Sequence, residues 1–195
     1  MPALPSGTVT FLFTDVEGST RLLERHPEAY RSAIAQHHAI LREAVEQNGG
    51  VVFETLGDAV YAAFASPRDA VAAALRAQHD LDEASWGEVG PLRVRIGLHT
   101  GEAERQGDHY FGAALYRCSR LANAGHGGQV LLSSAAAELV RDALPPAADL
   151  RDLGEHRFRD LQRPERVFQL LAPGLTLHFP ALRALESFPN TGSRC

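Results

Sequence analysis

Residues 8–20 read TVTFLFTDVEGST. The run 8–13 is apolar and β-branched, with no polar face, which is the pattern of a central strand buried on both sides. It ends, after Thr14, in an acid, Asp15, followed by a Gly18-Ser19-Thr20 turn and a helical pattern. Ser19 or Thr20 is the expected N-cap of that helix. A carboxylate at the end of a buried strand, just before a helix N-terminus, can hold a cation beside a bound phosphate. A second acid has a similar setting: Asp58 in FETLGDAVYAAF, residues 53–64.

The rest of the chain fits around these two acids. Pro27 suits the first turn of a long helix, where its missing N–H does no harm. Tyr30, Ile34, His37, Leu41 and Val45 recur at spacings of three and four and form one buried face. Asn48-Gly49-Gly50 ends that helix. Residues 51–55 and 58–64 read as a β-hairpin turning at Leu56-Gly57, which places Asp58 at the start of the returning strand. Ser66-Pro67-Arg68-Asp69 is a helix start, with Ala70, Val71, Ala74, Leu75, Gln78 and Leu81 facing inward.

Residues 92–100 form a strand, 101–108 a polar loop and 113–124 a helix with Leu115, Cys118 and Leu121 or Ala122 inward. Residues 130–132 are a strand, and Ser133 or Ser134 caps a helix over 135–143, which Pro145-Pro146 breaks. Strands at 150–158 and 166–171 close the pattern. The sum is an α/β (α+β) sandwich, with helices packed on a largely antiparallel sheet. Residues 1–172 read as one domain and 173–195 as a tail or linker.

Composition narrows the function. The chain has 195 residues, 45% hydrophobic and 22% charged, with a net charge of −5. That is an ordinary globular composition without the basic footprint of a nucleic-acid binder. The apolar runs are too short to cross a bilayer, and MPALPSG lacks a signal peptide's basic start and apolar core. Cys118 and Cys195 make neither a disulfide framework nor a zinc pattern. The expected location is cytoplasmic, with no membrane or nucleic-acid partner. His37 and His38 are adjacent, point apart on a helix and make a poor chelate.

Either acid alone has a plain structural reading, Asp15 as a helix cap and Asp58 as a turn residue. Together, each ending an apolar strand beside a glycine, they suit two divalent cations about 3.5–4 Å apart that clamp a phosphoryl transfer. Magnesium fits, since it binds through one or two carboxylates plus substrate phosphates.

Five segments then carry a resemblance: FLFTDVEGSTRLLE (11–24), FETLGDAVYAAF (53–64), RIGLHTGEAE (95–104), HYFGAALYRCSRLANAG (109–125) and LGEHRFRDLQRPERVFQL (153–170). In this order they resemble the class III adenylyl/guanylyl cyclase catalytic domain, most closely its actinobacterial branch. HFPALRALESFPN (178–190) resembles the linker to the ATPase that often follows there. The resemblance implies a ferredoxin-like βαββαβ core and a head-to-tail homodimer with two composite sites. It also implies two Mg2+ or Mn2+ per site and conversion of GTP or ATP to the 3′,5′-cyclic monophosphate and pyrophosphate. The Gly18-Ser19-Thr20 turn itself offers backbone N–H groups to phosphates, and the resemblance assigns Asp15, Asp58 and the Val16 carbonyl to the metals, Arg159 to the triphosphate and Arg120 to the transition state. Metal and transition-state residues come from opposite subunits.

Three positions depart from the family pattern. Tyr116 stands where asparagine is usual, Glu54 where adenine-selecting members carry lysine, and His109 where they carry aspartate or a small polar residue. A carboxylate only accepts hydrogen bonds, so Glu54 suits the guanine N1–H and amino edge, and His109 can donate to the guanine O6. The pair leans towards GTP. Loss of a preorganised polar contact typically costs about 10²–10³ in rate, so Tyr116 points to slow turnover or to a degenerate cyclase domain that only binds nucleotide or dimerises. A diguanylate cyclase lacks support, because its G-G-D/E-E-F hairpin is replaced by Thr55-Leu56-Gly57-Asp58. No G-x-x-x-x-G-K-S/T of a P-loop ATPase occurs.

Overall fold

The computed structural model describes residues 4–188. The strands are β1 (Gly7–Val16), β2 (Val51–Leu56), β3 (Ala59–Phe64), β4 (Val94–Gln106), β5 (His109–Phe111), β6 (Val130–Ser133), β7 (Asp149–Arg157), β8 (Glu165–Leu171) and β9 (Glu186–Phe188). The helices are α1 (Ser19–Arg25), α2 (Pro27–Gln47), α3 (Pro67–Glu83), α4 (Ala113–Ala124) and α5 (Ser134–Val140). The sheet runs β2-β3-β1-β4-β6-β8-β7-β9, with β5 on the end of β4. Only the β4–β6 pairing is parallel among the described strands. The order β2-β3-β1-β4 of the first four strands is that of the ferredoxin-like βαββαβ core.

β1 is central because both of its faces are apolar. Val9, Phe11 and Phe13 point to one side, where they pack with Tyr110, Ala114, Cys118 and Ala122 under α4. Leu12 and Val16 point to the other, onto α2, α3 and α5. Phe11 meets the rings of Tyr110, Phe53 and Phe13 edge-on at 5.1, 6.1 and 6.2 Å. Truncating such a ring costs about 3–5 kcal/mol. α4 approaches β4 so closely that a Cβ at Gly97 would lie 2.6 Å from the Ala122 nitrogen. Glycine is therefore required there by packing.

Several local expectations are corrected. α1 has no side-chain cap: its N-cap is Gly18, at φ 72°, and neither Ser19 nor Thr20 serves. The left-handed turn is reached by glycine more cheaply than by a capping side chain. Asp58 lies in the turn rather than in the returning strand, which begins at Ala59. The expected polar loop 101–108 is mostly strand, because β4 continues to Gln106 and pairs with β5. Its inner side carries only Gly101 and the half-buried Ala103, and residues 104–106 are exposed, which left too little apolar alternation to announce a strand.

Residues 174–188, read from the sequence as tail, lie against the domain. Leu182 and Ala184 pack on Leu121, Ala124, Leu131, Phe158 and Val167. The Arg183 N–H donates to the Ala124 carbonyl at 3.0 Å, and β9 adds to the β7 edge. Cys195 lies outside the described residues. No helix among the described residues is long and apolar enough to cross a membrane.

Candidate active site

Asp15 is the penultimate residue of β1, and its register partner across the sheet is Arg95. Both side chains emerge on the α4 side of the sheet. Arg95 Nε donates to Asp15 Oδ2 at 2.7 Å, and its Nη2 reaches the same oxygen. Arg95 Nη1 also donates to the Asn123 carbonyl in the last turn of α4, at 3.1 Å. Burial raises the Asp15 carboxyl above its usual value, Arg95 opposes this and the nearby Asp58 charge adds to it. Arg95 was not foreseen as a site residue. The sequence signal was the basic alternation in LRVRIG, which places Arg95 on the face of β4 that Asp15 shares on β1.

Asp58 comes to Asp15 by way of the hairpin tip. Its Oδ2 accepts the Val16 N–H at 2.8 Å, tying the turn to the residue after Asp15. Its backbone carbonyl accepts from His37 Nε2 on α2 at 2.9 Å. The His38 ring lies against the Gly57 backbone. The two histidines therefore do not point apart, as expected; both turn to the hairpin tip, with their rings 5.4 Å apart. Burial pushes His37 down to about 4, so its ring is neutral at ordinary pH. A carbonyl only accepts, so Nε2 carries the proton.

Beside Asp58 a cavity of about 440 Å³ is lined by Ser19, Thr20, Leu23, Tyr30, Arg31, Ile34, Gly57 and Asp58. The first-turn N–H groups of α1 are free of intrahelical partners by geometry. Asp15, Val16, Asp58 and the Gly18–Thr20 turn are thus gathered at one end of the sheet.

The remaining candidates are elsewhere. Glu54 is an exposed β2 residue opposite Tyr61, and His109 is exposed at the start of β5. Tyr116 on α4 is 70% exposed. Arg120, four residues on along the same helix, donates to Asp160 Oδ2 at 2.6 Å. Arg159 is exposed in the turn after β7. Among the described residues no hydrogen bond or ion pair joins these five to Asp15 or Asp58.

The donor set fits a hard divalent cation. One oxygen of each carboxylate is engaged, Asp15 Oδ2 by Arg95 and Asp58 Oδ2 by Val16, and the other oxygen of each carries no hydrogen bond among the described residues. Among the described residues no three His, Cys, Asp or Glu side chains converge as a closed cage. Magnesium does not require such a cage when substrate phosphates complete its shell. All 19 basic residues are arginine, so phosphate contact through charge falls to arginine alone.

Residues 1–159 match the profile of the "Adenylate and Guanylate cyclase catalytic domain". An uncharacterized protein of Mycobacterium tuberculosis is 44% identical over 187 residues, which cover 96% of this chain and 64% of that protein. The chain therefore spans less than two thirds of that curated relative. A receptor-type adenylate cyclase of Trypanosoma equiperdum is 33% identical over 106 residues, 51% of this chain and 22% of that one. Among solved structures, an adenylate cyclase of Trypanosoma brucei in its monomeric state superposes with a TM-score of 0.82 at 28% identity, covering 94% of this chain and 97% of that one. The guanylate cyclase domain from Catenaria anguillulae, solved in complex with GTP, shares the fold with a TM-score of 0.75 at 17% identity, covering 85% and 97%.

Proposed function

The chain belongs to the adenylate and guanylate cyclase catalytic-domain family, and from that premise we propose that it converts a purine nucleoside triphosphate to the 3′,5′-cyclic monophosphate and pyrophosphate at a homodimer interface. The observation that carries the reading is the Val16–Asp58 hydrogen bond of 2.8 Å, which holds the two acids of separate sequence segments at one place.

In this reading Asp15, the Val16 carbonyl and Asp58 hold two Mg2+ or Mn2+. When bound, these ions favour the ionised 3′-hydroxyl and neutralise charge on the α-phosphate and leaving pyrophosphate. The backbone N–H groups of Gly18, Ser19 and Thr20 orient the triphosphate in the cavity beside Asp58. Glu54 and His109 read the base and favour guanine. Arg120 stabilises the pentavalent transition state with Tyr116 beside it, and Arg159 contacts the triphosphate. These last three come from the partner subunit, in a head-to-tail arrangement. That arrangement accounts for Tyr116 and Arg120 lying on the outer face of α4 with no hydrogen bond or ion pair, among the described residues, to the acids of their own chain.

A second reading has its own support. Tyr116 stands in place of asparagine and Asp15 is engaged by Arg95, as suits a nucleotide-binding or dimerising module without turnover. A product assay separates the two. Purified protein with manganese and GTP or ATP is expected to yield a cyclic product, identified by mass, that disappears in Asp58→Ala. A folded dimer that yields the same background in wild type and Asp58→Ala would establish the module instead.

A further inference from the structure

His37 contradicts the logic of its own position. It lies on the core face of α2, at 0% exposure, between Ala33 and Leu41. Its Nδ1 is buried with no hydrogen-bond partner among the described residues. An unmade buried hydrogen bond is a net cost, and an aliphatic side chain of similar volume would fill the space without it. Stability alone does not select imidazole here.

What the imidazole supplies here that an aliphatic side chain does not is the Nε2–H directed at the Asp58 carbonyl, 2.9 Å away. The carbonyl belongs to a turn that is otherwise held by the Val16–Asp58 bond and by the His38 ring against the Gly57 backbone. Gly57, at φ 61°, faces open space where a Cβ would be, apart from its own chain neighbours, so no side-chain packing on that side fixes the tip. The Asp58 carboxylate is held from the β1 side by Val16 and its main chain from the α2 side by His37. The two bonds come from different elements and approach different ends of the residue. Together they restrain both the position and the rotation of the carboxylate. Without the second, the Asp58 main chain is restrained on the α2 side through its neighbour Gly57, which meets the His38 ring.

We propose that His37 is a positioning residue for the cation site: its Nε2–H fixes the Asp58 turn so that the carboxylate is preorganised for a divalent metal. The inference rests on the reading of Asp58 as a metal ligand. Outer-shell partners of ligating groups commonly change metal affinity or activity by about 10–100-fold when removed, and the same range is expected here.

The test measures metal binding directly. Free Mn2+ is quantified by electron paramagnetic resonance during titration of the full chain with a non-cyclisable triphosphate present. His37→Leu is expected to weaken Mn2+ binding about 10–100-fold while melting temperature holds or rises, and His37→Gln, whose amide can donate to the same carbonyl, to recover most of the affinity. His37→Asn, one methylene too short, is the second loss variant if the leucine protein does not fold. Mn2+ binding by His37→Leu or His37→Asn equal to wild type, with Asp58→Ala impaired, overturns the role of His37 alone. Wild-type binding by Asp58→Ala overturns the metal reading itself, and the inference with it.

Discussion

The two ends of the candidate site are built in opposite ways. The acid end is held from several sides: Asp15 by Arg95 across the sheet, Asp58 by Val16 and His37. The outer face of α4 and the β7–β8 turn carry Tyr116, Arg120 and Arg159 towards solvent, and among the described residues Arg120 pairs with a neighbouring turn acid, Asp160. In the proposed function the first is a preorganised half-site and the second a displayed one. A chain that fixes one half and presents the other is suited to complete its site with a second copy, as composite isologous assemblies do.

The largest effect tests the preorganised half. Asp58→Ala is expected to abolish cyclic-product formation to background, measured by mass, while circular dichroism stays native. Full loss of structure in that variant would mean the acid is needed for folding, and the comparison would fail. The displayed half is tested next by Arg120→Ala. Its loss is expected to cost about 10²–10³ in kcat, as for a transition-state donor. Its ion pair is largely exposed, so the melting temperature should hardly move. An unchanged rate would remove Arg120 from the site. Tyr116→Asn works in the opposite direction: restoring the family's usual residue is expected to raise kcat, and a fall would show that tyrosine has its own function there.

Much of the preorganised end was legible in the sequence, because strand periodicity and abrupt termination by an acid are local signals. TVTFLFTDV shows both, and Asp58 was placed beside a turn within one residue of its true position. Arg95 and His37 were harder to see. Their roles depend on which strand or hairpin lies opposite, and pairings of |i−j| 80 and 21 leave no local mark. The docking of residues 174–188 was missed because, among the described side chains, Leu182 and Ala184 are those that join the core cluster under α4, too few to make a periodic pattern. The displayed end was legible only through the resemblance, since an exposed arginine on a helix has no chemistry of its own to announce.

A smaller effect concerns pH. His99 on β4 is buried, its Nδ1 bonded to the Ser133 hydroxyl at 2.8 Å, and burial lowers it to about 4 with Arg117 adding to the shift. The unfolded chain binds this proton near the ordinary histidine value, 6.5, and the folded chain only near 4. Stability is therefore fully present above about 6.5 and is lost as pH falls towards 4, at about 1.4 kcal/mol per pH unit from this group. Urea unfolding of wild type and His99→Gln across that window is expected to give a shallower pH slope in the variant. Equal slopes would show that the histidine is not held neutral.

The smallest effect is local to Asp15. Removing the guanidinium in Arg95→Gln is expected to raise the Asp15 carboxyl further, because Arg95 is the main influence opposing burial. Carboxyl-carbon NMR titration reads it directly, and an unshifted or lowered value would deny the ion pair in solution.

The measurement that reaches the central claim is complementation between two inactive chains. Asp58→Ala and Arg120→Ala are purified separately, each shown to be folded and inactive, then mixed so that subunits exchange, and cyclic product is followed by mass. If one chain lends its acids and the other its arginine, half of the dimers are mixed and each has one intact site. Activity should then return to about a quarter of wild type. A mixture that stays as inactive as its components, with subunit exchange confirmed, would contradict a site shared between two copies of this chain.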